Sequence, residues 1–341
     1  MLNEMKSLLV LGGSHFVGRH IATAAVEGGW RVTVLNNETG PSRTPLGAAH
    51  VFADRLNADE MSLALQGRHW NAVIDTWQGA PIALQLSARL LRETNTLYCL
   101  ISSVTVYADS TRPPITELSE CRRHGAAPPH AYSARKRAAE EVVLSAFPDR
   151  SLILRPGLIV GPWEYAGRLP WWLLRMQDGG RVLAPGPCGR RLQWVDSRDL
   201  AAFALRCLSA RVCDVVNVAG PANDFTMEHM LEMCRGATGA DADIRWIDGE
   251  LLQRSGLTPW VDLPMWIPPT EAHATAYDIM AEKADQLGMR YRPPTETVDD
   301  VWQWMTQLGT KGLVHYLDGR EWLDRAREGL LLRLLDTDAG T

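Results

Sequence analysis

Short apolar runs alternate with amphipathic stretches through the first 160 residues of this chain. The runs LLVLGG, VTVLNN, AVIDTW, LYCLISS and LILRPGLIVG are predicted to be buried strands, and another strand is expected just before FADRLN. Between the runs, apolar residues recur at helical spacing, which predicts helices over about residues 17–29, 59–67, 80–93 and 131–147. Strands that alternate with helices predict an α/β domain with a parallel sheet covered by helices.

The pattern loosens beyond Gly161-Pro162. Helices are predicted within WEYAGRLPWWLLRMQDGG and FTMEHMLEMCRGATG, a buried strand within VCDVVNVAGP, and two closing amphipathic helices within TVDDVWQWMTQLG and EWLDRAREGLLLRLL. Four prolines between residues 244 and 270 predict irregular segments there. The predicted divisions are a sheet domain at 1–162 and 192–220, a smaller lobe at 163–191 and 221–335, and a frayed tail at 336–341.

Composition excludes several classes of function. A net charge of −5 and a pI of about 6.0 argue against broad attraction for a phosphate backbone, so we expect no nucleic-acid partner. The six cysteines have no paired spacing, which predicts neither a disulfide framework nor a metal site. The apolar run before Gly12 is too short for a signal peptide or a membrane span, so we expect a cytoplasmic protein with no membrane partner. Thirteen tryptophans mostly predict internal packing, and a minority could line a pocket for an apolar small molecule.

A glycine-rich turn follows the first predicted strand. Gly12 and Gly13 end that strand, and Gly18 falls in the first turn of the next helix, where a missing side chain lets helix and strand approach each other. Backbone N–H groups at such a helix start can bind the pyrophosphate of a dinucleotide, although similar turns also join ordinary strands to helices. The candidate contacts in this turn are Gly12, Gly13, Ser14, His15, Phe16, Val17 and Gly18. The turn predicts a Rossmann-type doubly wound parallel sheet. The smaller C-terminal lobe is separately expected to bind substrate.

Three polar residues further along the chain point to proton transfer. Tyr132 and Lys136 are four residues apart in a predicted helix, so both side chains share one face, where the ammonium would lower the pKa of the phenol. Ser103 lies 29 residues before Tyr132, at the end of a predicted buried strand. A serine there is often structural, and the tyrosine–lysine spacing occurs by chance in many helices. Because all three accompany the glycine turn, we predict catalytic roles for Ser103, Tyr132 and Lys136 in hydride and proton transfer.

The motifs LGGSHFVG, SSVTVY and YSARK resemble those of the extended short-chain dehydrogenase/reductases, the NAD(P)-dependent epimerase/dehydratase family. The resemblance runs from residue 5 to about residue 205 and continues more loosely to the end. The usual turn reads TGGTGFIG, whereas His15 replaces the middle glycine here, as in an atypical bacterial branch whose GGTRFIG turn carries a basic residue. The resemblance implies that Tyr132 is the general acid or base, that Lys136 holds the nicotinamide ribose, and that Ser103 hydrogen-bonds the reacting oxygen.

The resemblance also implies nucleotide contacts outside the turn. A carboxylate at the end of the second strand would bind the ribose hydroxyls of NAD and repel the 2′-phosphate of NADP, but Asn36 occupies that position. With His15 and Arg43 as phosphate partners, NADP(H) is favoured over NAD(H), although Glu38 argues the other way. Asp54 matches an acidic residue that contacts adenine in the family, and would otherwise cap a helix. The implied contacts are Asn36, Asn37, Arg43, Asp54, Thr76, Trp77, Ser102, Tyr132, Lys136, Pro156 and Gly157.

Two departures from the family bear on the reaction. Val104 and Thr105 replace the acidic pair that dehydratases carry after the serine, and LRPGLIVGP replaces the RYFN phrase of nucleotide-sugar epimerases. We therefore expect a reductase or dehydrogenase acting on a carbonyl or alcohol of a small molecule, such as a secondary metabolite. The alternatives are an NAD-dependent epimerase of a sugar or sugar nucleotide and a non-catalytic cofactor-sensing or RNA-associated protein.

Candidate substrate contacts are Thr105, Arg168 and Trp171. Relatives often form homodimers through the tyrosine helix, and Val142 or Leu144 could contribute to such an interface here.

Overall fold

The computed structural model describes residues 6–37, 44–108, 112–123, 131–220, 225–269, 274–317 and 321–338. The chain forms two compact units. Unit 1 comprises Met1–Ile159, Trp194–Ala222 and Asp278–Tyr291, and unit 2 comprises Val160–Gln193, Asn223–Tyr277 and Arg292–Thr341. The predicted division differs chiefly at residues 278–291, which it assigned to the second lobe.

The regular elements follow the predicted alternation. The strands are β1 (Ser7–Leu11), β2 (Arg31–Asn36), β3 (Ala49–Phe52), β4 (Ala72–Asp75), β5 (Leu97–Ile101), β6 (Ser151–Pro156), β7 (Leu158–Val160), β8 (Gly180–Pro185), β9 (Trp194–Asp196), β10 (Val215–Val218) and β11 (Ala242–Ile247). The helices are α1 (Phe16–Glu27), α2 (Ala58–Leu65), α3 (Ile82–Leu91), α4 (Tyr132–Ala146), α5 (Arg168–Gln177), α6 (Ser197–Ser209), α7 (Met227–Thr238), α8 (Gly249–Arg254), α9 (Glu282–Gln286), α10 (Pro294–Tyr316) and α11 (Arg325–Asp338). Short 3₁₀ helices lie at Val104–Val106 and Ala274–Tyr277.

Unit 1 is built on a parallel sheet whose strand order, among the described residues, is β10-β6-β5-β4-β1-β2-β3. The order reverses between β1 and β4, because the chain first builds outward through β2 and β3 and then returns to the other side of β1. Such a reversal opens a crevice at the carboxyl ends of the two strands, where ligands bind in open α/β sheets. The predicted doubly wound, Rossmann-type α/β fold is confirmed.

Helices cover both faces of this sheet. Successive side chains of a strand point to opposite faces, so Leu8 and Val10 pack with residues of α1 and α6, such as Ile21 and Leu200. The intervening Leu9 and Leu11 belong to the opposite core layer, under α2, α3 and α4. Each of these leucines and valines is fully buried. This two-sided burial explains why the strands read as continuous apolar runs rather than as alternating patterns.

The segment Asp278–Tyr291 joins unit 1 through backbone pairing. Ile279 forms a parallel bridge with Ile115, and the Met280 N–H donates to the Ile115 carbonyl at 2.8 Å. Lys283 pairs with Asp214 at 3.0 Å, next to β10. Nothing in so short a stretch of sequence shows which core it will join, which is why the prediction placed it in the other lobe.

Unit 2 contains more regular structure than the proline content predicted. β11 pairs in parallel with β8 from Ala242 to Ile247, so the prediction of irregular segments throughout 244–270 is wrong. A buried ion pair joins α5 to α11, with Arg175 Nε 2.8 Å from Glu328, and the Leu183 N–H also donates to Glu328 at 2.9 Å. A carboxylate held by two donors anchors the last helix against its own unit.

The longest helix, α10, is interrupted at Gly309, whose backbone (φ 66°, ψ 169°) is not helical. The predicted closing helix TVDDVWQWMTQLG ends at this same residue, and the chain resumes a helical path after it. Within the described ranges, none of the helices combines the length and the apolar composition that a membrane span requires.

Candidate active site

The glycine turn between β1 and α1 has no room for side chains. Gly12 has a φ of +95°, and a Cβ there would lie 2.4 Å from Thr76 Oγ1. A Cβ on Gly18 would lie 2.0 Å from the Gly12 carbonyl oxygen, so only glycine lets α1 start this close to β1. His15 is the N-cap residue of α1, and its side chain makes no capping hydrogen bond. A helix start of this kind, at the switch point of the sheet, fits the pyrophosphate of a dinucleotide.

Gly18→Ala should therefore weaken nucleotide binding and destabilise the protein by about 1–3 kcal/mol, because the clash is with backbone that cannot rotate away. Gly236→Ala is the matched control, since Gly236 also lies in a helix but has no atom within 4 Å of an added Cβ. That control should be neutral or stabilising by about 0.5–1 kcal/mol. Isothermal titration with NADP⁺ and NAD⁺ and thermal unfolding would measure both effects. Equal behaviour of the two variants would contradict this account of the turn.

The end of β2 carries the position that separates NAD from NADP in such folds. The Asn36 side-chain amide donates to Ser14 Oγ, and its Oδ1 lies 2.6 Å from His50 Nε2. These contacts link the glycine turn to β2 and β3. Asn37 is exposed beside it, whereas Arg43 and Glu38, which bear on the choice of nucleotide, lie outside the described residues. His50 had no place in the sequence prediction, because only the pairing of β2 with β3 brings it next to Asn36.

Asp54 follows β3. Its carboxylate accepts the Leu56 N–H at 2.9 Å, and α2 is capped by Asn57, which accepts the N–H groups of Asp59 and Glu60. The alternative role of Asp54 as a helix cap is therefore not observed.

Ser103 caps the short 3₁₀ helix after β5. Its Oγ accepts the Thr105 N–H at 3.2 Å, and Thr105 Oγ1 lies 3.1 Å away. With both lone-pair directions of Ser103 Oγ occupied by donors, its own hydrogen is available to an oxygen outside this loop. The neighbouring Ser102 differs, because its hydroxyl donates to the buried Glu140 at 2.6 Å.

Lys136 lies on the buried face of α4 and is only 2% exposed. Its Nζ donates to the carbonyl oxygens of Trp77 and Ile101, each at 2.7 Å, so it is held between the ends of β4 and β5. Burial lowers the pKa of Lys136 to about 8, and the carboxylates of Asp75 and Glu140 oppose that shift. Nζ lies 5.8 Å from the ring centre of Tyr132, whose side chain is 39% exposed. The predicted shared face of Tyr132 and Lys136 is thus present in the structure.

A buried ion pair anchors the segment after β4. Asp75 accepts from Arg55 at 2.7 and 2.6 Å, from the Tyr98 hydroxyl at 2.6 Å, and from the Trp77 N–H at 2.9 Å. Although burial disfavours the charged carboxylate, the Arg55 guanidinium lowers the pKa of Asp75. The Arg55 guanidinium also stacks 4.9 Å from the centre of the Trp77 ring.

A second buried ion pair anchors the segment after β5. Arg155, in β6, donates to both oxygens of Glu140 at 2.9 and 2.8 Å and to the Tyr107 hydroxyl at 3.1 Å. The Tyr107 hydroxyl donates in turn to Asn217 at 2.6 Å, and burial raises the pKa of Tyr107 to about 12. Glu140 also accepts a hydrogen bond from the Ser102 hydroxyl, so this network joins α4 to the residues that follow β5, including Ser103.

These ion-pair residues were not predicted from the sequence, although the sequence indicates that some of them need buried partners. Asp75 and Arg155 are ionisable residues inside apolar strands, AVID and LILRP, and such residues need partners when they are buried. Glu140 stands four residues after Lys136 and therefore lies on the same helix face. Nothing in the sequence identifies Arg55 as the partner of Asp75.

The remaining predicted residues fall into two groups. Pro156 ends β6, and the Gly157 N–H that follows donates to the Val218 carbonyl at 3.0 Å, so both lie at the carboxyl edge of the unit 1 sheet. Arg168 and Trp171 belong to α5 of unit 2, where Arg168 pairs with the buried Glu164 at 2.5 Å and Trp171 packs edge-on against Trp172. Val142 and Leu144 pack partly against the core of unit 1, and a homodimer through α4 stays a prediction.

Comparison with known proteins agrees with this fold. The model of the NAD dependent epimerase/dehydratase family matches residues 8–219. Among solved structures, the Bordetella bronchiseptica enzyme WbmH in complex with NAD⁺ is 15% identical, with a TM-score of 0.69 over 90% of this chain and 100% of that one. UDP-glucose 4-epimerase from Thermotoga maritima, with UDP-glucose, is 15% identical, with a TM-score of 0.67 over 88% of this chain and 99% of that one.

UDP-N-acetylglucosamine 4-epimerase from Bacillus cereus is likewise 15% identical, with a TM-score of 0.67 over 89% of this chain and 98% of that one. At these identities the likeness establishes a shared fold. No curated protein sequence matches the chain significantly.

Proposed function

The chain belongs to the NAD dependent epimerase/dehydratase family, and we propose that it is an NADP(H)-preferring reductase or dehydrogenase in which Tyr132 is the general acid and base. The observation that carries the proposal is the position of Lys136. A buried ammonium is held by two carbonyl oxygens beside the tyrosine ring, at the same edge of the sheet as the glycine turn. A buried cation is costly, and a purely structural role would not require it on the face that carries Tyr132.

A bound nicotinamide nucleotide would supply or accept the hydride at the substrate carbon. In the reducing direction, the C–H bond forms while the O–H bond of Tyr132 breaks, so the phenolic proton moves to the former carbonyl oxygen and a phenolate remains. In the oxidising direction, the phenolate takes the hydroxyl proton of the alcohol while its C–H bond breaks. Positive charge on Lys136 stabilises the phenolate in both directions.

Ser103 would orient the reacting oxygen. Its Oγ already accepts from Thr105, so its hydrogen is free to be donated to a carbonyl or alkoxide oxygen. Such a donor stabilises the charge that develops on that oxygen in the transition state. Two of the three Lys136 N–H bonds are used by Trp77 and Ile101, which leaves the third for a ribose hydroxyl.

An epimerase is the second candidate, because it would use the same tyrosine, serine and lysine and because the family and its solved relatives include epimerases. Pro156 and Gly157 weigh against a sugar nucleotide, since they occupy the end of β6 where epimerases place an amide side chain.

Asn36 supports NADP(H), because no carboxylate stands at that position to repel a 2′-phosphate.

Transfer of deuterium would test the function. The protein is incubated with NADPH deuterated at the transferable position and a panel of aromatic and aliphatic aldehydes and ketones. We expect the deuterium in the alcohol product, with one NADPH consumed for each product formed. Exchange at a sugar carbon with no net consumption of nucleotide would establish the epimerase instead. Nucleotide binding with no turnover of any compound would favour the sensing alternative.

A further inference from the structure

Lys136 is an unusual cation in this chain. The sequence contains four lysines, Lys6, Lys136, Lys283 and Lys311, against 31 arginines. Lys136 is the buried one among the lysines whose exposure the structure describes, and a lysine loses its charge on burial far more readily than an arginine does. Whether Lys136 remains charged therefore depends on the groups around it.

The Trp77 carbonyl, one of the two acceptors of Lys136, belongs to a segment that the Arg55–Asp75 pair holds in place. Asp75 Oδ1 accepts the Trp77 N–H at 2.9 Å, and the Arg55 guanidinium covers the Trp77 ring. Arg55 itself donates to Ser87 as well as to Asp75, and its side chain is 5% exposed against 0% for Asp75. The pair is thus held by Ser87 of α3 and by Tyr98 of β5, and Asp75 itself ends β4, two residues before Trp77.

We propose that the Arg55–Asp75 ion pair is a positioning element for Lys136: it orients the Trp77 carbonyl that Lys136 contacts, and it places the Asp75 carboxylate where it acts on the buried ammonium. The inference rests on the proposed function, because it assigns these residues to the support of the catalytic lysine. Neither residue contacts the reacting atoms, and both act through Trp77 and through their charge.

The charges around Lys136 support this assignment. Burial lowers the pKa of Lys136 to about 8, Asp75 and then Glu140 raise it, and Arg55 and Arg135 lower it. The Tyr132 ring also faces Nζ, with its centre 5.8 Å away. Asp75 therefore opposes the loss of the proton more than any other residue, while Arg55 works in the opposite direction. A pair that only stabilised the core would not need to be ionic, because apolar residues of similar volume often stabilise as well or better.

The small number of lysines allows a direct test. Protein labelled with ¹³C at lysine Cε is titrated by NMR without nucleotide, and the Lys136 resonance is assigned by its absence in Lys136→Met. In the unmodified protein we expect a midpoint near pH 8. Asp75→Asn should move the midpoint to lower pH by about one unit, and Arg55→Met should move it to higher pH.

Two further variants make the test decisive. Either single variant leaves an unpaired buried charge and could fail to fold, whereas Arg55→Met with Asp75→Asn removes both charges and keeps an oxygen for the Trp77 N–H. Because the influence of Asp75 exceeds that of Arg55, the double variant should lower the midpoint by less than Asp75→Asn does. Asp214→Asn is the control, since it removes a carboxylate that pairs with a different lysine, Lys283, and should leave the Lys136 midpoint unchanged.

An unchanged Lys136 midpoint in the folded double variant would overturn the inference, as would single variants that shift it in the same direction. This outcome would leave the proposed function intact, because the titration needs no turnover. Conversely, normal turnover in Tyr132→Phe would contradict the proposed function, but it would leave the conclusion drawn from the Lys136 titration in place.

Discussion

Tyr132→Phe should reduce turnover by about 10²- to 10⁴-fold while leaving nucleotide affinity nearly unchanged. The substitution removes one oxygen from a side chain that is 39% exposed, so neither the core nor the glycine turn is disturbed. The lost oxygen is the proton donor and acceptor of the proposed reaction. Its loss should lower kcat and kcat/KM together, because the proton transfer occurs in the transition state.

Steady-state kinetics with the best substrate of the carbonyl panel and titration with NADP⁺ would measure the two effects. Tyr291→Phe is a suitable control, since it removes a phenol from the same unit in the segment that follows α9. It should retain activity. If Tyr132→Phe also retains near-normal turnover, Tyr132 is not the general acid and the proposed mechanism is wrong.

Arg155→Met should lower the free energy of unfolding by about 3–5 kcal/mol, the second large effect expected for this protein. The variant leaves the fully buried Glu140 without the guanidinium that contacts both of its oxygens, and Arg137, which is partly exposed and 3.2 Å away, remains as its ionic partner. It also removes a donor to Tyr107. Glu140 accepts a hydrogen bond from Ser102, the neighbour of Ser103. A displaced Glu140 should therefore also disturb Ser103, and turnover should fall together with stability.

Urea and thermal unfolding, followed by circular dichroism, would measure this loss. Glu140→Gln combined with Arg155→Met removes both charges and should be less destabilised than Arg155→Met alone. Arg254→Met is the surface control, because its pair with Glu250 spans 3.9 Å with both side chains about two-thirds exposed. That control should change stability by less than about 0.5 kcal/mol. If the double variant is as unstable as Arg155→Met, the loss of stability does not come from a buried carboxylate that has lost its main ionic partner.

The two buried ion pairs have similar roles around Lys136. Arg55–Asp75 anchors the segment that supplies the Trp77 carbonyl, and Arg155–Glu140 anchors the segment that follows the Ile101 carbonyl. Lys136 donates to both carbonyls. The lysine is therefore held by backbone atoms whose positions depend on two ion pairs, one based on Asp75 of β4 and the other on Arg155 of β6. We expect the site to be sensitive to substitutions that touch neither nucleotide nor substrate.

Much of the fold could be predicted because the signals are local. The helix predicted at 131–147 is observed from Tyr132 to Ala146, and it ends before Pro148, which cannot continue a helix. The glycine turn was recognisable for the same reason, since residues 12–18 specify a backbone path within seven positions. The second unit was harder to predict, because β8 and β11 pair across 62 residues of sequence and because Asp243 and Arg245 interrupt the apolar run of β11.

The sequence by itself determined the alternation of strands and helices, the glycine turn, and the shared helix face of Tyr132 and Lys136, because each depends on residues within a few positions of one another. Only the tertiary structure decided which distant residues meet: Arg55 with Asp75, Arg155 with Glu140, His50 with Asn36, and Lys136 with two carbonyl oxygens. Those contacts come from the order of the strands in the sheet. Strand order depends on the burial of the whole core, which no local pattern of residues records.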